Sequence, residues 1–268
     1  MSLPAVAFFG LGALGAPLAA RLHAAGHRLA VFDPRTEAVA AHQRDNGAAA
    51  INLSNVAIWI TCVTDEAAAE KLYFGPQGIA ATIAPGNLSI DHTTTSPDFA
   101  RRAALALAAR DAGFVDSPLS GGVGGARAGT MLAMQGGTDV DCRRAQQVLR
   151  AYCHKMTVFG AAGSGQTAKL ANQLAIAGTV RGLHEAARMA RRCGLDVGTL
   201  LGALAAGSAH SAQLDQHAGA LAGHDLSFGD QFGWITKDLA LAQNALRSSG
   251  ALPGMADWLL ATIAAEQA

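Results

Sequence analysis

Ala5-Val6-Ala7-Phe8-Phe9-Gly10-Leu11-Gly12-Ala13-Leu14-Gly15 is the stretch whose reading decides the fold. A short apolar run, the length of a buried strand, meets a G-x-G-x-x-G, and an Ala-rich run to Ala25 follows at helix length. In that order the three glycines have separate tasks. Gly10 permits the tight turn, Gly12 lets the backbone approach a pyrophosphate, and Gly15 lets the helix pack close to the sheet. The helix start offers unpaired N–H groups and a positive dipole end to an anion. A second apolar run, Leu29–Phe32, ends in Asp33-Pro34-Arg35. This puts a carboxylate roughly 20 residues past the fingerprint, where a ribose 2′-OH can donate to it. Asp33 therefore points to NAD. Arg35 keeps NADP open, since a guanidinium can hold a 2′-phosphate bidentately, although Asp33 repels that same group. Two plainer readings stand beside these: a Gly-rich turn without ligand, and Asp-Pro as an ordinary turn initiator.

Outward from this unit the same alternation continues. Strands are expected at Ala57–Cys62, Leu88–Asp91, Gly113–Val115, Met131–Gln135 and Met156–Phe159, with helices such as Ala67–Tyr73 and Pro97–Ala112 between the earlier ones. Beyond Gly165 the texture changes to Ala- and Leu-rich segments: Gln166–Cys193, closed by Gly194, then about 196–206, 211–222, 229–249 and 253–266. The expected fold is α/β, with an N-terminal Rossmann-like doubly wound sheet over 1–162 and an all-α domain over 163–268. Leu170, Leu174, Ala177, Leu183 and Ala187 recur at helical spacing, which makes the segment from Gln166 a long interdomain helix.

Composition narrows the partners. The chain has 268 residues, 20 basic against 20 acidic, and only 15% charged side chains, below the roughly 25% of ordinary soluble proteins. No Lys/Arg block supplies the footprint that a nucleic acid or an anionic membrane needs. Cys62, Cys142, Cys153 and Cys193 are far apart, and the nine histidines show no metal-ligand spacing, so no metal is expected. The first residues lack a basic stretch, their apolar run breaks at Gly10, and no segment reaches the roughly 18 apolar residues of a membrane span. A cytoplasmic protein acting on a small molecule is expected.

Two further glycine-rich stretches are candidates for the chemistry. In Asp116-Ser117-Pro118-Leu119-Ser120-Gly121-Gly122-Val123-Gly124-Gly125-Ala126, glycines free backbone N–H groups to converge on a carboxylate beside the Ser120 hydroxyl; a flexible loop is the other reading. In Gly163-Ser164-Gly165-Gln166-Thr167-Ala168-Lys169-Leu170-Ala171-Asn172-Gln173, Lys169 and Asn172 are three apart and project from one helix face. A lysine in an apolar cleft loses solvation and becomes a proton donor and acceptor near neutral pH. A helical lysine alone is usually a solvated surface charge.

Taken together and in order, these segments and Lys237-Asp238-Leu239 resemble the β-hydroxyacid dehydrogenase family over nearly the whole chain. The resemblance implies an NAD(P)-dependent oxidoreductase interconverting a small 3-hydroxy acid and its semialdehyde. It implies that Gly10, Leu11, Gly12, Ala13, Leu14, Gly15, Asp33 and Arg35 bind the cofactor, with Val63 and Thr64 where relatives commonly read Leu-Pro. Thr94, in the segment Asp91-His92-Thr93-Thr94, is implied to lie beside the nicotinamide, and Ser120, Gly121 and Gly122 on the substrate carboxylate. Lys169 is implied to be the acid–base group supported by Asn172, and Lys237 to lie near cofactor and substrate. For Lys237 a helix-surface lysine paired with a carboxylate is the alternative. The substrate carbonyl carbon then receives a hydride from the nicotinamide while Lys169 gives its proton to the alkoxide.

An imine reductase of the same architecture and a non-catalytic dinucleotide-binding protein are the rival readings. The Ala-rich helices of the second half also suggest a homo-oligomer, a dimer or a tetramer.

Overall fold

The computed structural model describes residues 3–46, 56–223 and 228–267, with the backbone alone at 228–234 and 267. The chain divides into two compact units, Met1–Lys169 and Leu170–Ala268.

The first unit begins with β1 (Val6–Phe9), α1 (Gly15–Ala24), β2 (Leu29–Phe32), α2 (Thr36–Asn46), β3 (Ile58–Thr61), α3 (Glu66–Phe74), α4 (Ile79–Thr82), β4 (Leu88–Asp91), α5 (Pro97–Ala108) and β5 (Gly113–Asp116). It continues with β6 (Leu119–Ser120), α6 (Gly122–Ala128), β7 (Met131–Gly136), α7 (Asp139–Leu149) and β8 (Cys153–Gly160). The strands form one sheet in the order β2-β1-β3-β4-β5-β7-β6, with β8 beside β7. The first five are parallel, while β7 runs antiparallel to β5 and β6 and parallel to β8. Alternate residues feed opposite faces, as strand geometry requires. Val6, Phe8, Ile58, Ile60, Leu88 and Ile90 join the core on one face; Ala7, Trp59 and Phe114 join the core on the other. Both faces are therefore buried, which is why the strands read as continuous apolar runs.

Local signals set the helix starts. Ser96 accepts the Phe99 N–H with Pro97 just inside α5, and Thr138 accepts the Asp141 N–H at α7. The chain turns to β2 on one side of β1 and to β3 on the other. Doubly wound sheets bind ligands outside the strand C-termini at such a reversal.

Helix α8 (Ser164–Arg192) crosses the division, and α9 (Val197–Ala206), α10 (Ala212–Ala222), α11 (Phe228–Ser248) and α12 (Met255–Gln267) complete the second unit. Ala177 and Val180 of α8 pack with Ile235, Leu239, Leu259 and Ile263. Further along, Leu183, Ala187 and Ala190 pack with Val197, Leu201, Leu214 and Leu221. No helix among the described residues is long and apolar enough to cross a membrane.

Candidate active site

The glycine turn at the end of β1 separates structural demand from functional demand. At Gly10, φ is +101°, and a Cβ would lie 2.2 Å from the Cys62 carbonyl oxygen. At Gly15 a Cβ would lie 2.0 Å from the Gly10 carbonyl oxygen. Both glycines are required by the fold. Gly12 is not: its φ lies outside the left-handed range, and a Cβ there would meet nothing within 4 Å among the described residues. The reason for a glycine at 12 is room for something outside the chain. Helix α1 behind it starts without a side-chain cap or an acidic residue in its first turn, so its positive end faces an incoming anion unneutralised. The turn fits the pyrophosphate of a dinucleotide. Arg21 of α1 also donates to the carbonyls of Ala151 and Arg127, fastening α1 to the end of α6.

Asp33, at the C-terminus of β2, serves the turn directly. Its carboxylate accepts the Leu11 N–H at 2.7 Å, the Arg35 N–H at 3.0 Å, and the Arg35 guanidinium at 2.8 and 3.1 Å. The Arg35 hydrogen bonds, together with that from Leu11, hold its pKa down to about 2. About four acceptor positions are all a carboxylate has, and the donors of Leu11 and Arg35 fill them, the Arg35 side chain being 55% exposed. Leu14 and Ala13 complete the turn, Leu14 packing against the core.

The C-terminal ends of β3 and β4 form the next wall. The Thr61 hydroxyl donates to Asp91 Oδ1 at 2.7 Å. Having spent its only proton, Thr61 accepts from Tyr73 at 3.2 Å, and Tyr73 in turn accepts from Ser89 at 2.7 Å. Asp91 also accepts the Thr93 N–H, and Thr93 Oγ1 accepts the Val63 N–H at 3.1 Å. The predicted Val63 is thus held through Thr93, while the Thr64 hydroxyl donates to Asp65, the N-cap of α3. Thr94 is half-buried between buried Thr93 and Thr95. Burial pushes Asp91 up to about 6.

Beside it, His92 Nδ1 lies 2.6 Å from the Ser117 carbonyl and Nε2 lies 2.7 Å from the Tyr152 hydroxyl. A carbonyl only accepts, so Nδ1 carries the proton and Nε2 accepts from Tyr152. Burial lowers His92 to about 4, which keeps it neutral.

Ser120 ends β6, and Gly121 and Gly122 adopt φ of +136° and +61°. Gly122 opens a short helix, α6, where the sequence leaves a flexible loop as the plainer reading. Burial of Ala126 in the core and a left-handed C-cap at Gly129 offset the weak helix propensity of its glycines. Asp116, in register with Asp91 on the neighbouring strand, is fully buried and raised by that burial to about 6. It accepts the N–H groups of Gly163 and Gln166, each at 2.8 Å, at the start of α8. Lys169, one turn further along, is buried at 8% exposure. It is not a solvated surface lysine.

The remaining predicted residues lie in the second unit. Asn172 donates to Gln173 Oε1 at 3.1 Å, Gln173 donates to Asp238 Oδ2 at 2.7 Å, and Lys237 pairs with Asp238 Oδ1 at 2.9 Å. Lys237 is 37% exposed, the geometry of the ion-paired helix lysine that the sequence left open. Among the described residues no group of three or more His, Cys, Asp or Glu is arranged to hold a metal. The roles of Asp91, His92 and Gln166 were not read from the sequence.

Comparison with known proteins agrees with this geometry. Residues 5–160 match the NAD binding domain of 6-phosphogluconate dehydrogenase, and residues 163–266 match the NAD-binding domain of NADP-dependent 3-hydroxyisobutyrate dehydrogenase. A 3-hydroxyisobutyrate dehydrogenase of Pseudomonas aeruginosa is 38% identical over 73% of this chain and 67% of its own length. An NAD-dependent L-serine dehydrogenase of the same organism is 32% identical over 91% of this chain and 86% of its own. The structure of Mycobacterium tuberculosis 3-hydroxyisobutyrate dehydrogenase with L-serine superposes with a TM-score of 0.84 at 29% identity, covering 98% of this chain and 94% of that one. An imine reductase from Pseudomonas sp. shares the fold alone, at 17% identity and a TM-score of 0.64 over 98% of this chain and 93% of that one. The glycine turn, the buried lysine and these matches along the chain make it a member of the β-hydroxyacid dehydrogenase family, an NAD(P)-dependent oxidoreductase of hydroxy acids.

Proposed function

We propose that the protein interconverts a small 3-hydroxy carboxylate and its semialdehyde, with residues 1–162 as the dinucleotide-binding domain and 163–268 as the helical domain. The observation that carries the reading is the burial of Lys169 one turn into a helix whose start is fastened to the ends of β4 and β5. The nicotinamide, when bound, supplies or accepts the hydride. Lys169 gives a proton to the carbonyl oxygen during reduction and takes it back during oxidation, and Asn172 supports it. Ser120 and the N–H groups of Gly121 and Gly122 hold the carboxylate, so that the reacting carbon is fixed before chemistry begins. Gly10, Leu11, Gly12, Ala13, Leu14 and Gly15 take the pyrophosphate. Val63, Thr64 and Thr94 line the nicotinamide end, and Lys237 lies near the substrate.

NAD is the proposed cofactor over NADP. Asp33, ionised at any physiological pH and engaged with Arg35, repels a 2′-phosphate and occupies the guanidinium that would bind one. Relatives that carry the names 3-hydroxyisobutyrate dehydrogenase and L-serine dehydrogenase support the substrate class, since both substrates are 3-hydroxy acids. A cytoplasmic homo-oligomer, dimer or tetramer, completes the proposal. The exposed Met189, Leu195 and Trp258 of the helical unit support the association.

The test is turnover of NAD and NADP with 3-hydroxyisobutyrate and L-serine, and of NADH and NADPH with small semialdehydes and a cyclic imine, in the parent and in Lys169→Ala. The expected result is hydroxy-acid turnover that falls about 10²- to 10⁴-fold in Lys169→Ala with NADH binding intact. Reduction of the imine alone, or a Lys169→Ala enzyme that turns over normally, overturns the reading.

A further inference from the structure

We propose that Asp116 and Gln166 are positioning residues for Lys169, setting both the height and the rotation of the start of α8, residues 164–169, against the sheet. The proposal rests on the acid–base reading of Lys169 given above. Helix α8 begins where a capping side chain would ordinarily stand, but that position is Gly163, which has none. Asp116, 47 residues earlier in the chain, does the capping instead, with Oδ1 on the Gly163 N–H and Oδ2 on the Gln166 N–H. Two glycines make room for it: a Cβ on Gly136 would lie 2.6 Å from Asp116 Oδ1, and one on Gly165 would lie 2.8 Å from Asp116 Oδ2 and 2.4 Å from the Met134 carbonyl oxygen. A Cβ on Gly163 would lie 2.9 Å from the Pro97 carbonyl oxygen, so the helix start also sits closely on the backbone at residues 97 and 134.

Gln166 then fixes the rotation. Completely buried, it donates through Nε2 to the Thr93 carbonyl at 2.7 Å and accepts the Thr95 N–H on Oε1 at 3.1 Å. Both partners belong to the segment after β4 that also contains Thr94 and, through Thr93 Oγ1, holds Val63. Gln166 and Lys169 are three residues apart and so share a helix face. A rotation of about 10° about the helix axis moves an atom 5–6 Å from that axis by about 1 Å. A displacement of about 1 Å between reacting groups can cost about 10²-fold in rate. The amide of Gln166 thus ties the face that bears the lysine to the segment assigned to the nicotinamide.

A cap that served stability alone would lower the melting temperature and leave turnover of the folded enzyme untouched. A double-mutant cycle separates the two. Gln166→Met is nearly isosteric and removes both side-chain bonds. It is expected to lower kcat about 10- to 100-fold while substrate KM and NADH Kd stay within about threefold. In a Lys169→Ala background the same change should lower the residual kcat by less than about twofold, because there is no longer an amine to place. Asp116→Asn, carried through the same cycle, gives the same pattern and provides the test should Gln166→Met not fold. Folded variants with parental kcat overturn the proposal, as does an equal loss in the presence and absence of Lys169. A parental kcat in Lys169→Ala alone overturns instead the acid–base reading beneath it.

Discussion

Three alanine substitutions in one turn should have two opposite outcomes. In Gly15→Ala the new methyl carbon would lie 2.0 Å from the Gly10 carbonyl oxygen and 3.3 Å from the Phe8 ring, and the first contact is with backbone that cannot swing away. Overpacking of this kind costs about 1–3 kcal/mol or more. For a cooperative unit of 169 residues, 1 kcal/mol corresponds to roughly 3 °C in Tm, so a fall of about 3–9 °C is expected. Gly10→Ala combines a 2.2 Å contact with a φ of +101°, and strain of that sort adds about 1–3 kcal/mol, so its fall should be at least as large. Gly12→Ala meets nothing within 4 Å among the described residues, so its Tm should stay level or rise by up to about 3 °C, the equivalent of the few tenths to about 1 kcal/mol that removing a glycine from the unfolded chain contributes. Its methyl group occupies the ground where a pyrophosphate comes closest, and NADH Kd should rise about 10-fold or more, which corresponds to about 1.4 kcal/mol. Differential scanning fluorimetry and NADH fluorescence titration on the three variants read both quantities. A Gly12→Ala protein that binds NADH like the parent, or one that melts as early as Gly15→Ala, would refute the division of labour among the glycines.

Other consequences can be measured as directly. Asp116 is raised from 3.8 to about 6, so the folded chain holds its proton more tightly than the unfolded chain, and the stability linked to that proton is full below pH 4 and lost as the pH rises through 6. The stability of the parent relative to Asp116→Asn should therefore be greater at pH 4.5 than at pH 7.5 by about 2 kcal/mol in denaturant melts, and a constant gap contradicts the buried proton. Asp33→Asn frees Arg35 and removes a repelling charge, so the ratio of NADPH Kd to NADH Kd should fall at least about 10-fold in titrations; an unchanged ratio removes Asp33 from cofactor selection. Desolvation pushes Cys62 and Cys153 up to about 12 and Cys142 to about 11, whereas Cys193 is exposed, so an aromatic disulfide reagent at pH 8 should modify one thiol quickly and three only on unfolding. Rapid reaction of a second thiol in the native protein would show that Cys62, Cys142 or Cys153 is more open than its desolvation implies.

How much of this was legible beforehand depended on the range of each signal. The strand–glycine–helix unit at Gly10–Gly15 was plain because its residues are consecutive and each has a local task. The helices from Gln166 onward were plain from their periodicity, and their observed ends differ from the expected ones by a residue or two. Helix α7 was missed although Thr138 and Asp141 stand at capping spacing, because few of its residues are apolar. Helix α6 is not expected from the sequence because three of its residues are glycine, and tertiary burial of Ala126 overrides that propensity. Lys169 could be singled out, but its burial could not be read from the sequence. The least legible features were the bonds that join distant segments, such as Asp116 to Gly163 and Gln166 to Thr93. Nothing in a carboxylate's neighbours announces that it will cap a helix 47 positions away.

The guanidinium of Arg21 bears on any effort to redesign this enzyme. It leaves the helix behind the pyrophosphate turn and grips the carbonyl oxygen of Arg127, at the far end of the short helix that follows Ser120. The helix behind the glycine turn and the short helix after Ser120 therefore lean on a shared beam. Reshaping Val123–Ala128 to admit a bulkier acid will also disturb the footing of the nucleotide, so changes in selectivity there should come with changes in coenzyme affinity, and Arg21 is where compensating substitutions should be sought first.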